Sequence, residues 1–465
     1  MRGLVWLRTD LRINDNSALF NASRECRDGL IALHCIPKTL NTQAHLNQRQ
    51  YTLQKQQLSV LKVALAELNI PLIIQPVDNM DAIEPVILNV MRTHELDTLY
   101  YNARYDLAQR TQDRNIASTL ENAQLKVKHF IDHLIAPPEQ ILTPKDKPFT
   151  SLVAFKKTWQ SFLRHAQLHP LGPVEKQAIA LHVANIDTTL PWHAQVTSPW
   201  QFEETLAQNL LKPEHTEQLN TLFTHLTVGL VSPRQFIHTL LQAENLQHKL
   251  EVDKWLNLLI AREFDHHIMY HFPHICSGRD FQPNMHTLPW HKDEKLLTAW
   301  QNGQTGYPLI DASMRCLNQT GYLSEDLLQA SALFFTKVLF MDYRLGEDHF
   351  AKTRIDYEFA TNNALWQWSA STGAESVIYA RIPQPSRQSE VFDATGEFIR
   401  QYCPELASIN AIGIHDPHYH ARDVVAEQNY PQPIVDYNLM RKKTIYHFKT
   451  LNKSLKSSDF VAETI

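Results

Sequence analysis

The run Leu4-Val5-Trp6-Leu7 begins the pattern that decides the fold of the first third of the chain. Short apolar runs of this kind form buried strands, and four more follow it. The five predicted strands cover residues 4–7, 30–36, 71–75, 98–101 and 127–131. Stretches with helical spacing of apolar residues lie between them, at 47–68, 82–91 and 106–120. Because helices of crossover length separate the strands, the sequence predicts a doubly wound parallel α/β domain over residues 1–135.

The remaining chain has two other patterns. Residues 136–200 are irregular and rich in proline apart from a predicted helix at 152–165, which is typical of a long linker that wraps over a surface. From 201 to 465 strand signals nearly vanish and helical periodicity dominates, with a polar, proline-containing tail after Pro417. The sequence therefore predicts an α/β domain at 1–135, a linker at 136–200 and an all-helical domain at 201–465.

Glycine usage and net charge limit the kinds of site this chain can hold. Only 12 of the 465 residues are glycine, well below the ~7% of average usage. No two glycines form a Gly-x-Gly arrangement, so a dinucleotide fingerprint and a Walker A loop are both absent. With a formal charge of −5, nucleic-acid binding would require a local basic groove on a mildly acidic body.

Cysteine spacing and hydropathy indicate the compartment. The five cysteines are scattered and show no Cys-x-x-Cys spacing, which favours reduced thiols in a cytoplasmic protein. No apolar run approaches the roughly 18 residues that a membrane-spanning helix needs. We expect a cytoplasmic protein without a membrane span.

Six stretches carry a resemblance to a known family. They are LVWLRTDLR (4–12), TGYPLIDASMR (305–315), DYRLGE (342–347), NNALWQW (362–368), FDATGEFIR (392–400) and YPQPIV (430–435). Together they resemble the photolyase/cryptochrome family, most closely the class I cyclobutane-dimer photolyases of bacteria. The match covers essentially the whole chain.

The resemblance implies both a fold and an activity. The fold is an N-terminal Rossmann-like parallel α/β antenna domain, a long linker and an all-helical FAD-binding-type domain. The activity is light-driven, FAD-dependent repair of pyrimidine dimers in DNA, with the dimer flipped out of the duplex into a cavity over the flavin. The implied partner is DNA that contains such dimers, and a monomer is expected.

Several positions match residues that serve the flavin in this family. Asn362 matches the asparagine that contacts flavin N5, and Asp356 matches the acid beneath the flavin. Trp366 and Trp300 match the inner and outer members of the tryptophan chain that reduces the flavin. The middle member is Tyr343, which is harder to oxidise than an indole unless it loses its proton.

Other positions match the family's contacts to the dimer, the cavity and the FAD phosphates. Trp368 matches the tryptophan that stacks on the flipped dimer, a contact worth roughly 1–3 kcal/mol per base. Arg262 and Arg381 match arginines at the cavity, the first assigned to the cofactor and the second to DNA. Asn220 and Thr221 are the polar residues that remain in the segment that binds the FAD phosphates.

Departures from the family pattern concentrate at the flavin and dimer sites. Two arginines near the flavin are replaced by Asp326 and Leu328, and the dimer-contacting glutamate and tryptophan are replaced by Leu258 and Ala261. Removing cations and adding carboxylates is unfavourable next to a pyrophosphate. A further set of replacements makes a folate antenna unlikely; these positions are Ala108, Gln109 and Ser277.

Two clusters of histidines allow a metal site as a further interpretation. His267 and His271 have the i, i+4 spacing of a helical zinc pair, and three more histidines lie close together at 415, 418 and 420. There is no His-Glu-x-x-His motif, and scattered histidines are common in the family without a metal. We expect no functional metal.

Two functions remain open at this point. The first is a deoxyribodipyrimidine photolyase that tolerates a changed site. The second is a photolyase-derived, non-catalytic protein with weak or no FAD that binds DNA or a partner. The concentration of substitutions at the functional site favours impaired activity.

Overall fold

The computed structural model describes residues 1–38, 47–165, 168–183, 203–211, 219–243, 249–375 and 382–462. The chain forms two compact units. The first unit comprises Met1–Pro273 and Ile355–Ala360, and the second comprises His274–Arg354 and Thr361–Ile465. This division does not follow the domain boundaries proposed from the sequence, which remain a prediction.

A five-stranded parallel sheet forms the core of the first unit. Its strands are β1 (Gly3–Leu7), β2 (Leu30–Pro37), β3 (Leu72–Val77), β4 (Thr98–Asn102) and β5 (Lys126–Phe130). Their order is β3-β2-β1-β4-β5, and every neighbouring pair is parallel. The order reverses direction between β1 and β4, so ligands of such sheets are expected beyond the carboxyl ends of these strands. The α/β prediction is confirmed.

Three of the first four helices begin at side-chain caps that the sequence supplies. The first four are α1 (Ser17–Glu25), α2 (Gln48–Glu67), α3 (Ile83–Thr93) and α4 (Leu107–Asn122). The Asn16 side chain caps α1, Asn47 forms a capping box with Gln50 at α2, and Asp106 caps α4. Each cap satisfies backbone N–H groups that the first helical turn leaves without a partner. The predicted strands and helices agree with the structure to within two residues at each end.

One strand differs from its prediction. The last strand of the series was expected to be buried, but the residues of β5 are exposed or half-buried. β5 is one of the two edge strands of the sheet, and β3 at the other edge is largely buried, so the edge position alone does not account for the exposure. The exposed residues of β5 are the polar Lys126, Lys128 and His129.

Beyond the sheet the described chain is helical, as predicted. The first unit adds α5 (Leu152–His165), α6 (Glu204–Leu210), α7 (Leu219–Thr227), α8 (Pro233–Ala243) and α9 (Lys249–His271). The following helices are α10 (Glu294–Gln301), α11 (Pro308–Thr320), α12 (Glu325–Leu333), α13 (Tyr343–Thr353), α14 (Phe359–Ala370), α15 (Pro385–Phe392), α16 (Glu397–Tyr402), α17 (Pro417–His420), α18 (Arg422–Glu427) and α19 (Tyr437–Ala462). The tail after Pro417 is therefore more helical than the sequence suggested. Within the described ranges, no helix is both long and apolar enough to cross a bilayer.

An aromatic cluster forms the core of the second unit. Trp300, Trp366 and Tyr343 are fully buried there and pack with Phe335 and Phe350. Gly346 of α13 lies against the indole of Trp366, so closely that a Cβ would come within 2.7 Å of three ring atoms. Close approach of α13 to Trp366 therefore requires glycine at this position.

Candidate functional site

Ion pairs fill the carboxyl edge of the sheet in the first unit. The buried Arg12 and Asp132 pair with each other, and Arg234 bonds Asp132 at 2.8 Å and Asp15 at 3.2 Å. Burial alone would raise the pKa of Asp132, but Arg12 and Arg234 hold it well below its usual range. Beside these pairs, a cavity of about 10 Å³ lies at the ends of β1, β4 and β5, room for roughly one water.

Arg262, one of the predicted site residues, lies in a second buried cluster of the first unit. Its Nε and Nη2 donate to Glu358 Oε2 and Oε1 at 2.9 and 2.6 Å. The Nε2 atoms of His133 and His266 lie 2.9 and 3.0 Å from the same Oε1. Burial alone would raise the pKa of Glu358, but Arg262 and the two imidazoles hold it well below its usual range. Arg262 is thus already engaged by a carboxylate of its own chain.

His133, His266 and Glu358 also have the spacing of a metal site, since one ligand atom from each lies within 4.8 Å of the others. The Arg262 guanidinium is 2.6 Å from the shared carboxylate oxygen and 3.0 Å from His133 Nε2. Arg104 donates to the other ring nitrogen of His133 at 2.7 Å. A divalent cation between these ligands would face two guanidinium charges at close range. The cluster is better described as an ion-pair network in which an arginine occupies the cation position.

Three of the histidines that the sequence singled out have hydrogen-bond partners for a ring nitrogen. His267 Nε2 accepts from the Phe149 backbone N–H at 3.0 Å, and His271 Nε2 lies 3.0 Å from the Pro138 carbonyl oxygen. His415 Nδ1 is 2.7 Å from the Ser389 hydroxyl. These contacts give the histidines structural roles within the packing of their units.

The structure gives the remaining predicted site residues a position but does not test their roles. Thr221 is half-buried on α7, and its carbonyl oxygen is 2.7 Å from His225 Nδ1. Asp356 is half-buried in the segment after α13. The side chain of Asn220 lies outside the described residues, as does Arg381 of the second unit. Their roles remain predictions.

In the second unit, Trp366 and Trp300 are direct neighbours. Their ring centroids are 5.9 Å apart in a T-shaped arrangement, and both residues are 0% exposed. The outer member of a chain that draws electrons from solvent must reach the surface, and Trp300 does not. Trp300 lies well placed to contact the inner member, and its assignment as the outer member remains a prediction that its burial does not favour.

Tyr343 opens α13 and is also 0% exposed. Its hydroxyl donates to Asp280 Oδ1 at 2.8 Å, and Arg344 Nη2 donates to the same oxygen at 2.9 Å. Burial, together with the negative charge of Asp280, raises the pKa of Tyr343 above its usual range. The phenol is thus protonated at rest and hydrogen-bonded to a carboxylate.

Asn362 and Trp366 lie one turn apart on α14. Asn362 is 0% exposed, and its Nδ2 donates to the Glu347 carbonyl oxygen at 3.1 Å. Its Oδ1 is buried and has no hydrogen-bond partner among the described residues. A buried amide oxygen without a donor is costly, so this atom is suited to an N–H of a ligand.

Comparison with known proteins places these groups in a family. The family model described as DNA photolyase matches residues 3–175, and the model described as the FAD binding domain of DNA photolyase matches residues 255–450. The deoxyribodipyrimidine photo-lyase of Escherichia coli is 33% identical over 97% of this chain and 99% of that protein. The enzyme of the same name from Salmonella typhimurium is 34% identical over the same shares. The chain belongs to the photolyase/cryptochrome family.

Solved structures agree with this family assignment. A bacterial class III photolyase from Agrobacterium tumefaciens has a TM-score of 0.87 and 27% identity, covering 97% of this chain and 98% of that chain. A Synechocystis cryptochrome has a TM-score of 0.82 over 95% of this chain and 98% of that chain, and its 20% identity supports the fold alone. The predicted photolyase fold is therefore confirmed.

The structure describes the four positions at which this chain departs from the photolyase pattern near the flavin and the dimer. Leu328 is 1% exposed within the aromatic core of the second unit, whereas Asp326 is exposed in the first turn of α12. An acid at a helix N-terminus is favourable for the helix, and a leucine in this core is favourable for packing. In the first unit, Leu258 and Ala261 are half-buried on α9. Each replacement thus suits its surroundings without supplying the lost charge or ring.

Two residues with potential roles in photolyase chemistry escaped the sequence analysis. Trp290 is half-buried, and its ring is 4.8 Å from that of Phe340 in the second unit, so it reaches the surface where Trp300 does not. In the sequence, Trp290 was distinguished only by being a second tryptophan close to α10. Asp280 is distant in sequence from Tyr343, and no local pattern pointed to their hydrogen bond.

Proposed function

We propose that this protein is an FAD-dependent photolyase that repairs pyrimidine dimers in DNA, with flavin and dimer affinities lowered by its substituted positions. The observation that carries the proposal is the pairing of Asn362 and Trp366 on α14. One supplies a buried, unpartnered acceptor and the other a buried indole within an aromatic core. We further propose that it acts as a cytoplasmic monomer.

The residues present fit a flavin at Asn362. Its unpartnered Oδ1 would accept a hydrogen bond from the isoalloxazine ring, while Nδ2 stays fixed to the Glu347 carbonyl oxygen. Bound FAD would supply the light-driven electron transfer that splits a dimer. Trp368, which is half-buried against the aromatic core, would stack on a flipped base. We propose no folate antenna, because Ala108, Gln109 and Ser277 replace the family's contacts.

The lowered affinity follows from the replaced residues. Leu328 is enclosed in the hydrophobic core and Asp326 is negative, so neither position can offer a cation to a flavin or a phosphate. Leu258 and Ala261 offer neither a carboxylate nor a ring to the dimer. The same observation favours a second candidate, a non-catalytic DNA- or partner-binding protein that holds little FAD.

The two candidates differ in bound flavin and in repair. The test is to purify the protein, release chromophore with acid, quantify FAD, and assay light-dependent repair of an oligonucleotide that contains a thymine dimer. Bound FAD with repair supports the photolyase. Colourless protein that cannot be reconstituted with FAD and does not repair the dimer would contradict the photolyase proposal and support the second candidate.

A gain-of-function pair tests the dimer pocket separately. Ala261→Trp with Leu258→Glu should raise affinity for dimer-containing DNA, because the two half-buried positions would again offer a ring and a carboxylate to the dimer. The matched control is Asn257→Trp with Asp253→Glu, at exposed positions of the same helix. Equal affinities for damaged and undamaged DNA in all three proteins would show that no dimer pocket is present.

A further inference from the structure

Tyr343 and Asp280 form a hydrogen-bonded pair whose chemistry differs from that of the neighbouring indoles. The phenol oxygen is 2.8 Å from Asp280 Oδ1, and the Asp280 side chain is 1% exposed. Asp280 Oδ2 is buried and has no hydrogen-bond partner in the described part of the chain. Among the described residues, Tyr343 and Arg344 therefore both donate to Oδ1, the carboxylate oxygen that faces the one proton that Tyr343 can release.

The indoles nearby have no comparable acceptor. The ring N–H groups of Trp300 and Trp366 are buried without hydrogen-bond partners among the described residues. An indole oxidised in this core keeps its proton, because no group there accepts it. A phenol behaves differently, since losing an electron makes its O–H strongly acidic. Asp280 thus offers Tyr343 a proton acceptor, which an oxidised tryptophan does not need.

We propose that Asp280 is the proton acceptor that allows Tyr343 to donate an electron to an oxidised Trp366. The inference deepens the proposed function and rests on it. The oxidant is the photoexcited flavin of the proposed function, which would take one electron from Trp366. In the step that follows, one electron passes from Tyr343 to the indole radical cation of Trp366, and the phenolic proton moves from Oη to Asp280 Oδ1. The products are a neutral tryptophan, a neutral tyrosyl radical and a neutral aspartic acid. The reverse transfer returns the electron and the proton to Tyr343 and leaves Trp366 as the radical cation again.

The surroundings of the pair support this step. Gly346, one turn after Tyr343 on α13, lies directly against the Trp366 ring, so the two redox-active side chains belong to one packed cluster. When Asp280 becomes neutral, the Arg344 guanidinium retains Asp342, whose Oδ1 is 3.1 Å from Nη1. No buried charge is therefore left without a partner, which keeps the cost of the step low. Asp280 acts here as a positioning and proton-accepting residue rather than as a contact to substrate.

The test uses Asp280→Asn in two backgrounds. In the flavin-loaded protein, laser-flash spectroscopy follows formation of the tyrosyl radical, and we expect Asp280→Asn to slow it roughly 10²-fold. The wild-type rate should also fall in D₂O. In a Tyr343→Trp background the same Asp280→Asn change should leave electron transfer unaffected, because an indole needs no acceptor. Equal slowing in both backgrounds would indicate a structural role and overturn the proposal, as would a wild-type rate without a deuterium effect.

A flavin-free arm separates this proposal from the proposed function. Photogenerated ruthenium(III) tris(bipyridine) oxidises the protein without flavin, and electron paramagnetic resonance detects the Tyr343 radical as the signal lost in Tyr343→Phe. We expect that signal in the wild type and a large loss in Asp280→Asn. Protein that binds no FAD contradicts the proposed function alone, and this arm still decides the inference. A Tyr343 signal of equal size in Asp280→Asn, or none in the wild type, would overturn it.

Discussion

Arg262 and Glu358 form a two-point ion pair at the centre of the first unit, with Nε–Oε2 and Nη2–Oε1 distances of 2.9 and 2.6 Å. The Arg262 side chain is 2% exposed and that of Glu358 is 9% exposed. The pair joins α9 to the Ile355–Ala360 segment, which is far from α9 in sequence. Two imidazoles also lie within 3.0 Å of the carboxylate, so removing it would leave several polar groups without their partner.

Glu358→Ala should destabilise the first unit by about 3–5 kcal/mol, because it leaves the buried guanidinium uncompensated. The double change Arg262→Met with Glu358→Leu should recover most of that loss, since no charge is then buried. Urea unfolding followed by circular dichroism measures both. The control is Glu175→Gln, which breaks a 3.6 Å pair with Arg24 between half-exposed side chains and should cost less than ~1 kcal/mol. A similar small loss for Glu358→Ala would contradict the importance of this pair.

The fold was predictable because its signals are local. Apolar runs and helical spacing placed the five strands and three of the four helices of the α/β region to within two residues, and α1 was missed. The exposure of β5 was not predictable, because the burial of a strand depends on what packs against it in the assembled domain, and the two edge strands differ in this. Register and strand order are properties of the assembled sheet rather than of any one segment.

Gly346→Ala should disturb the aromatic core of the second unit. The added Cβ would overlap three atoms of the Trp366 ring, which is enclosed by Trp300, Phe335 and Phe350 and cannot move freely. Overpacking of this kind costs about 1–3 kcal/mol. Thermal unfolding and tryptophan fluorescence should both change. Leu345→Ala, at an exposed position of the same helix, is the control, and equal effects of the two changes would show that the core is not tightly packed here.

Glu347→Gln should alter how stability depends on pH. Burial raises the pKa of Glu347 to about 7, against an ordinary value of 4.5, although Asn363 and Arg344 oppose the shift. A carboxyl whose pKa is higher in the folded chain stabilises the fold when protonated, and this contribution is lost as the pH rises from 4.5 through about 7.

Over that range the wild type should therefore lose stability relative to Glu347→Gln, with a slope of up to ~1.4 kcal/mol per pH unit. Urea unfolding at several pH values measures the difference between the two proteins. Glu427→Gln, an exposed change, should keep the wild-type profile. Parallel profiles for wild type and Glu347→Gln would show that Glu347 is ionised throughout.

The candidate site was predictable only in part. The family stretches located Asn362 and Trp366, but matching residues along the chain could not show that Trp300 is enclosed beside Trp366. The partners of each group were also hidden, because Asp280 and Tyr343, or Arg262 and Glu358, meet only after a helix has packed against a loop distant in sequence. Burial and partner choice are tertiary properties, and they decide what a matched residue can do.

Asn362→Ala should weaken flavin binding. The change removes the buried Oδ1, the acceptor without a partner that we assign to the flavin ring, and it also removes the bond from Nδ2 to the Glu347 carbonyl oxygen. The loss of one hydrogen bond in a buried site, about 1.4 kcal/mol, raises the Kd for FAD roughly tenfold. Fluorescence titration of the flavin-free protein with FAD measures this Kd. Asn438→Ala, at an exposed position of α19, should bind FAD as the wild type does. If Asn362→Ala binds FAD as tightly as the wild type while both are folded by near-ultraviolet circular dichroism, the flavin ring is held elsewhere and α14 does not form its contact.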